Sequence, residues 1–141
     1  MVILKRLPFI DTFTSMQEIT EWDTLANLKK HLAMFHNRLL SGYRKVDYVI
    51  VIDAMFLTYP MKMVNTLPSN EQKAIVRLTY MKADEYITWS LKEDEELVMQ
   101  TLHLVISYED GKQWRLYMPD CIRQTLAKAF DTELMYFLRR M

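Results

Sequence analysis

Cysteine is nearly missing from this sequence: Cys121 stands alone, so no disulfide can form within the chain and a small scaffold stapled by bridges is excluded. Glycine and proline are scarce as well. Two glycines and four prolines in 141 residues leave few places for tight turns, which disfavours a turn-rich sheet protein and favours long helices. No long hydrophobic run occurs. The most apolar stretch, VDYVIVIDAMFLTYP, carries Asp47 and Asp53 and stops at Pro60, too short and too charged for a bilayer span. Charge of one sign is not in excess either, since eighteen basic residues balance eighteen acidic ones. No global field draws such a chain to nucleic acid or anionic lipid, and any binding of that kind must come from a local surface. Without a visible signal peptide, internal repeat, low-complexity tract or linker, the expectation is one domain over residues 1–141, with no membrane span, in a reducing cytoplasm.

What is present is helical periodicity. After an extended LPFID arm, Thr14 and Ser15 face Gln17 and Glu18 at capping-box spacing, and Ile19, Trp22, Leu25, Leu28, Leu32 and Phe35 recur at helical intervals. This predicts a helix from about 15 to 41, closed by Gly42. Residues 44 to 58 suit a strand or a buried helix by composition, and their length favours the helix, stopping before Pro60. In LPSNEQKAIVRLTYM, Ser69 is the expected N-cap with Gln72 three residues on. A short helix is expected over Asp84 to Leu91. Another follows in EDEELVMQTLHLVI, its acidic first turn suited to the positive end of a helix dipole.

The stretch YEDGKQWRLYMPDCIRQTLAKAF, residues 108 to 130, has two readings. In one, Asp110 caps a short helix running to Met118 and Pro119 starts a last helix through Phe130. In the other, Leu102, Leu104 and Ile106 alternate into a strand, Asp110-Gly111 turns the chain, and Trp114, Leu116 and Met118 return as a second strand. The fold expectation is therefore mainly α: a compact helical domain with a C-terminal helix-turn-helix, or with a short hairpin around 102–118.

Three pieces carry a resemblance: LPFIDTFT opening a long helix, LPSNEQKAIVRLTYMK ending in a tyrosine, and QWRLYMPDCIRQTLAKAFDTEL with its aromatic-basic start and LAxAF close. Together they resemble the ArpU-like regulators of phages and prophages, whose last segment is similar to the helix-turn-helix of sigma-factor region four. The resemblance implies an N-terminal helical part over 1–66 and a DNA-binding part over 67–131. It makes Glu95 to His103 the supporting helix and Gly111 to Met118 the recognition helix. Lys112, Gln113, Arg115 and Tyr117 would then face duplex DNA, supplying donors for phosphates and base edges, with Arg123 and Lys128 reaching the flanking backbone. Trp114 and Leu116 would pack inward. The implied role is transcription regulation, acting on late genes. Departing from the family's pattern are the acids in YEDGKQW and the run Glu93 to Glu96. Residues 66 to 106 carry four basic and seven acidic side chains, a net of minus three, which phosphates repel unless it faces away.

No catalytic pattern is visible, so the chain reads as a non-enzyme without a cofactor. Cys121 has no histidine near it in sequence, and no glycine-rich loop could cradle phosphate. His31 and His36 lie five apart, the wrong spacing for two ligands on one helix face, and His103 stands alone; no metal site is expected. Eleven methionines suit an adaptable core or contact surface. The alternative function is accordingly a small helical phage protein that binds a host protein, RNA polymerase or a defence factor, without touching DNA. In the tail LMYFLRRM, Leu134, Met135, Phe137 and Leu138 exceed what a solvated end requires, which predicts a homodimer.

Overall fold

A computed structural model describes residues 13–34, 42–82, 84–90 and 96–140, and among them it is mainly helical, with seven helices and one small sheet. Helix α1 (Met16–Glu21) starts where expected: the Ser15 hydroxyl accepts the Glu18 N–H at 3.2 Å, and Glu18 takes the Thr14 N–H and hydroxyl at 3.0 and 2.7 Å. The long helix predicted from 15 to 41 is broken after Glu21, and α2 (Leu25–Ala33) begins afresh with Thr24 as its cap. The cause is Asp23, whose Oδ1 takes the Thr24 N–H and the Asn27 amide, both at 2.7 Å. Short polar side chains that bond nearby backbone in this way compete with helix continuation. The rest of that prediction, residues 35 to 41, lies outside the described residues.

Helix α3 (Lys45–Thr58) is the buried helix expected over 44 to 58; Asp47 accepts the Arg44 N–H at 2.8 Å at its start. Tyr59 turns the chain and Pro60 opens a further helix, α4 (Pro60–Thr66), at the first helical position, where its missing N–H costs nothing. Helix α5 (Ser69–Thr79) follows, with Pro68 rather than Ser69 as the cap residue, and the Gln72 side chain donates to the Leu67 carbonyl at 2.9 Å.

The sheet corrects the helical reading of the C-terminal part. Where a helix was expected over Asp84 to Leu91 the chain forms β1 (Ile87–Trp89), and the supporting helix over Glu95 to His103 shrinks to α6 (Val98–Thr101). Glu71 of α5 caps α6 by accepting the Met99 N–H at 2.7 Å. His103, at φ 60°, then stops the helix in the left-handed region. The expected recognition helix from Gly111 to Met118 is instead one arm of a hairpin, β2 (Ile106–Asp110) and β3 (Gln113–Tyr117). Its turn is Gly111-Lys112, one residue later than the hairpin reading placed it. Gly111 has φ 63° and Lys112 is not among the positive-φ residues, the pattern of a turn with glycine at its first central position.

The sheet is antiparallel, in the order β1-β3-β2, with Leu116 flanked by Ile87 and Ser107 on the face turned to the core. The third strand explains why the hairpin prevails, because two strands alone are marginal in water. Pro119 and Asp120 then start α7 (Asp120–Arg140), longer than the predicted helix to Phe130. Its first half packs on α4 and α5, and Ile122 and Leu126 join the one cluster of buried apolar residues that also holds Ile19, Ile52, Ile75 and Met99.

Candidate interaction surfaces

Four of the six residues expected at DNA fall on the hairpin rather than on a helix, and Arg123 and Lys128 are on α7. Lys112 and Gln113 are exposed at its tip, next to Glu109 and Asp110. Arg115 is committed elsewhere: its guanidinium meets Asp110 at 2.8 Å and lies over the Tyr86 ring, 4.5 Å from the centroid. Tyr117 is only 1% exposed, with its ring 5.2 Å from that of Tyr86. Arg123 closes the end of α5, donating to the Leu78 carbonyl at 3.3 Å and the Lys82 carbonyl at 3.1 Å while paired with Asp120 at 2.5 Å. Leu78 is in the last turn of α5 and Lys82 in the segment after it, and each carbonyl also accepts a backbone N–H, from Met81 and Glu85. Lys128 is exposed on α7. Trp114 packs against the core, as expected of it, and so does Trp89 beside it on β1.

The fold does join two histidines that stand 72 residues apart. His31 of α2 and His103 meet Nδ1 to Nδ1 at 2.8 Å, and His103 Nε2 reaches Asp23 Oδ2 at 2.7 Å, all three side chains buried. The carboxylate can only accept, so His103 donates its Nε2–H to Asp23. Its Nδ1 is then the lone-pair nitrogen, to which His31 donates. Burial raises the Asp23 carboxyl, but the bonds from His103, Asn27 and the Thr24 amide outweigh it and hold the group well below the usual carboxylate range. Burial pushes His31 well down, helped by His103 alongside, and lowers His103 against the pull of Asp23. The chain is thus an anion with two neutral imidazoles, which clamps the α1–α2 corner to the end of α6. Nothing in the spacing of single histidines signals this pairing. Among the described residues no group of three His, Cys, Asp or Glu is placed to hold a metal ion, and burial pushes the Cys121 thiol up to about 11, away from reactivity.

The outward surface of α3 is the feature least expected of a solvated helix. Tyr48, Val49, Ile52 and Phe56 fill the core, yet Val46, Ile50 and Leu57 on the opposite face are apolar too, Ile50 being 52% and Leu57 61% exposed. A helix with large apolar side chains on two opposite faces is one that calls for cover on both. At its C-terminal end, Leu57, Tyr59, Pro60 and Met61 line one wall of a groove of about 540 Å³ whose other wall is Thr125, Ala129 and Thr132 of α7, with Lys128 at the rim. A second uncovered surface lies on the far half of α7, where Leu134, Met135, Tyr136 and Leu138 are exposed. No helix among the described residues is long and apolar enough to cross a membrane. Set against protein-family models, curated proteins and solved structures, the chain matches none.

Proposed function

We propose that this chain is a non-catalytic binding protein that holds a protein partner on the outer face of α3. The observation that carries the reading is the helix itself, whose Val46, Ile50 and Leu57 stripe stands in water opposite a stripe that fills the core. Large apolar side chains aligned in water along one helix face point to a contact site. The stripe leads into the groove at Leu57, Tyr59 and Met61, a shape suited to an amphipathic helix laid along α3 with a large apolar anchor seated in the groove. A catalytic reading finds less support. Asp23, His103 and His31 have the chemistry of a proton relay, but at 5%, 1% and 0% exposure no substrate reaches them.

The regulator reading keeps one specific support, since a two-stranded ribbon can also enter the major groove and Lys112 and Gln113 are at the tip of one. A single experiment separates the two. With a photo-crosslinking residue in place of Ile50, the protein-binding reading expects one discrete adduct in extract of the native host, lost when Val46→Glu and Leu57→Lys are added. If Ile50 captures nothing, while the chain retards duplex DNA in a salt-dependent way that Lys112→Ala weakens, the regulator reading takes its place.

A further inference from the structure

Helix α7 carries an apolar ladder at every fourth residue: Ile122, Leu126, Phe130, Leu134 and Leu138. Its chemistry is constant along the helix but its cover is not. Ile122 and Leu126 are fully buried, Phe130 is half-buried against the core, and Leu134 and Leu138 are 57% and 52% exposed. Twenty-one residues span about 31 Å, so the helix outruns α4 and α5, which cover its first half, by some two to three turns. Residues 131 to 136, 138 and 139 are all exposed. A helical half of that length has little stability of its own, because short helices depend on tertiary packing of an apolar face.

The charges along this half say what covers it. Asp131 and Glu133 come first and Arg139 comes near the end. A second copy of the same helix laid antiparallel sets the acidic end of each against the basic end of the other, whereas a parallel copy sets like against like. A ridge of residues four apart is also what interdigitates in the commonest class of helix pair. The chain's net charge is zero, so no long-range repulsion opposes the meeting of two copies.

We propose that the chain forms a two-fold dimer through the C-terminal halves of α7, packed antiparallel, with Leu134 and Leu138 of each copy covering the same pair on the other and Asp131, which shares a flank with Arg139, set opposite it. The interface is isologous, as two-fold symmetry requires. It uses a different surface from the α3 face and leaves that face open to a partner.

Sedimentation equilibrium of the full chain tests this from low to high micromolar concentration. The expected result is a mass moving from 16.9 kDa to twice that value, and the double variant Leu134→Lys, Leu138→Lys staying at the single-chain mass with unchanged helix content. Charge reversal tests the orientation. Asp131→Arg in one chain, and Arg139→Glu in another, each weaken self-association by about tenfold or more, and mixing the two restores a dimer. Three results overturn the proposal: a wild type that stays single at every concentration, a dimer that survives the leucine double variant, or reversed chains that fail to pair when mixed. A dimer abolished by Val46→Glu and Leu57→Lys but not by the tail variants places self-association on α3 instead, and overturns the α7 assignment. Capture of a partner at Ile50 by a chain that never dimerises sinks this inference and leaves the protein-binding reading standing.

Discussion

The corner where α1, α2 and α6 meet and the far half of α7 invert one another. At the corner, a carboxylate and two imidazoles are sealed from water; on α7, leucine, methionine and tyrosine stand in it. Each arrangement is costly by itself. A buried polar group is tolerated only when its bonds are made, and for Asp23 and His103 they are: Asp23 receives His103, Asn27 and Thr24, and His103 in turn receives His31. Exposed apolar surface is tolerated only when something else covers it. The comparison separates a region complete within one chain from a region that, in the proposed dimer, a second chain completes. Cutting into the first should unfold the protein, and cutting into the second should leave the fold alone and change what it binds.

The largest effect is expected at Asp23. Asp23→Ala strips the partner from His103 and the acceptor from Thr24 and Asn27 at once, leaving buried donors unpaired. A loss of about 3–5 kcal/mol in urea-induced unfolding is expected, in the range for breaking a buried hydrogen-bonded pair. Asp23→Asn, which keeps an acceptor of the same shape, should lose markedly less. If alanine and asparagine cost the same, and that cost is small, the corner is not the clamp described here.

The α7 ladder carries the comparison within one helix. Leu126→Ala removes a fully buried side chain and should cost about 2–5 kcal/mol through lost burial and the cavity left behind. Leu138→Ala, three rungs along the same ladder, should change unfolding by no more than about 0.5 kcal/mol when measured in dilute solution, where the chain is single. Equal costs at the two positions in dilute solution would mean that the tail packs on its own body.

Acidity tests the corner alone, and the sign follows from the direction of each shift. Both histidines are held below their ordinary 6.5 in the folded chain, so the unfolded chain binds protons first as pH falls. Stability is therefore full above about pH 6.5 and declines below it, with a slope approaching roughly 1.4 kcal/mol per pH unit for each histidine. Asp23, held below its ordinary 3.8, contributes stability above that value and loses it as pH falls further, so the second loss has the same sign. His31→Gln with His103→Gln should flatten the first decline and leave the second. A flat stability between pH 7 and 5 in the wild type would contradict neutral buried imidazoles.

Legibility in the sequence divides along the same line as the structure. What depends on neighbours in the chain was readable: Ser15 capping α1, α3 running to the residues before Pro60, Pro119 opening α7, and the apolar excess of the tail. What depends on distant residues was not. The apolar repeat Ile19, Trp22, Leu25, Leu28 passes straight through the break at Asp23, because the carboxylate that ends α1 is held there by His103, 80 residues away. Asp110 and Gln113 have capping-box spacing, yet β1 supplies a strand to Gln113–Tyr117 that no local pattern could foresee. Of the six residues expected at DNA, Lys112, Gln113, Arg115 and Tyr117 are donors on one helix only if Gly111 to Met118 is helical, while Arg123 and Lys128 lie on the helix after it. On β3 Gln113, Arg115 and Tyr117 share one face, where Tyr86 covers Tyr117 and takes Arg115 over its ring, and Arg115 bonds Asp110. The outer stripe of α3 was visible only as hydrophobicity, and a buried helix and a helix awaiting a partner look the same in one sequence.

The smallest effect on stability is expected at Ile50, and it bears most directly on function. Its side chain stands on the outer face of α3, more than half exposed. Ile50→Lys gives up little buried area, places a charge in water, and should shift unfolding by no more than about 0.5 kcal/mol. Lysine is also as good a helix former as isoleucine or better, so the backbone has no reason to resist. Binding should respond in the opposite measure. A charge set without a mate in the middle of an apolar contact costs its desolvation, so affinity for a partner seated on α3 should fall at least about tenfold. Measured side by side, an unchanged unfolding curve and a lost partner would place α3 with the tail of α7 among surfaces completed by another chain. A loss of several kcal/mol in unfolding would instead place Ile50 inside the fold's own packing, and the outer stripe would cease to be a binding surface.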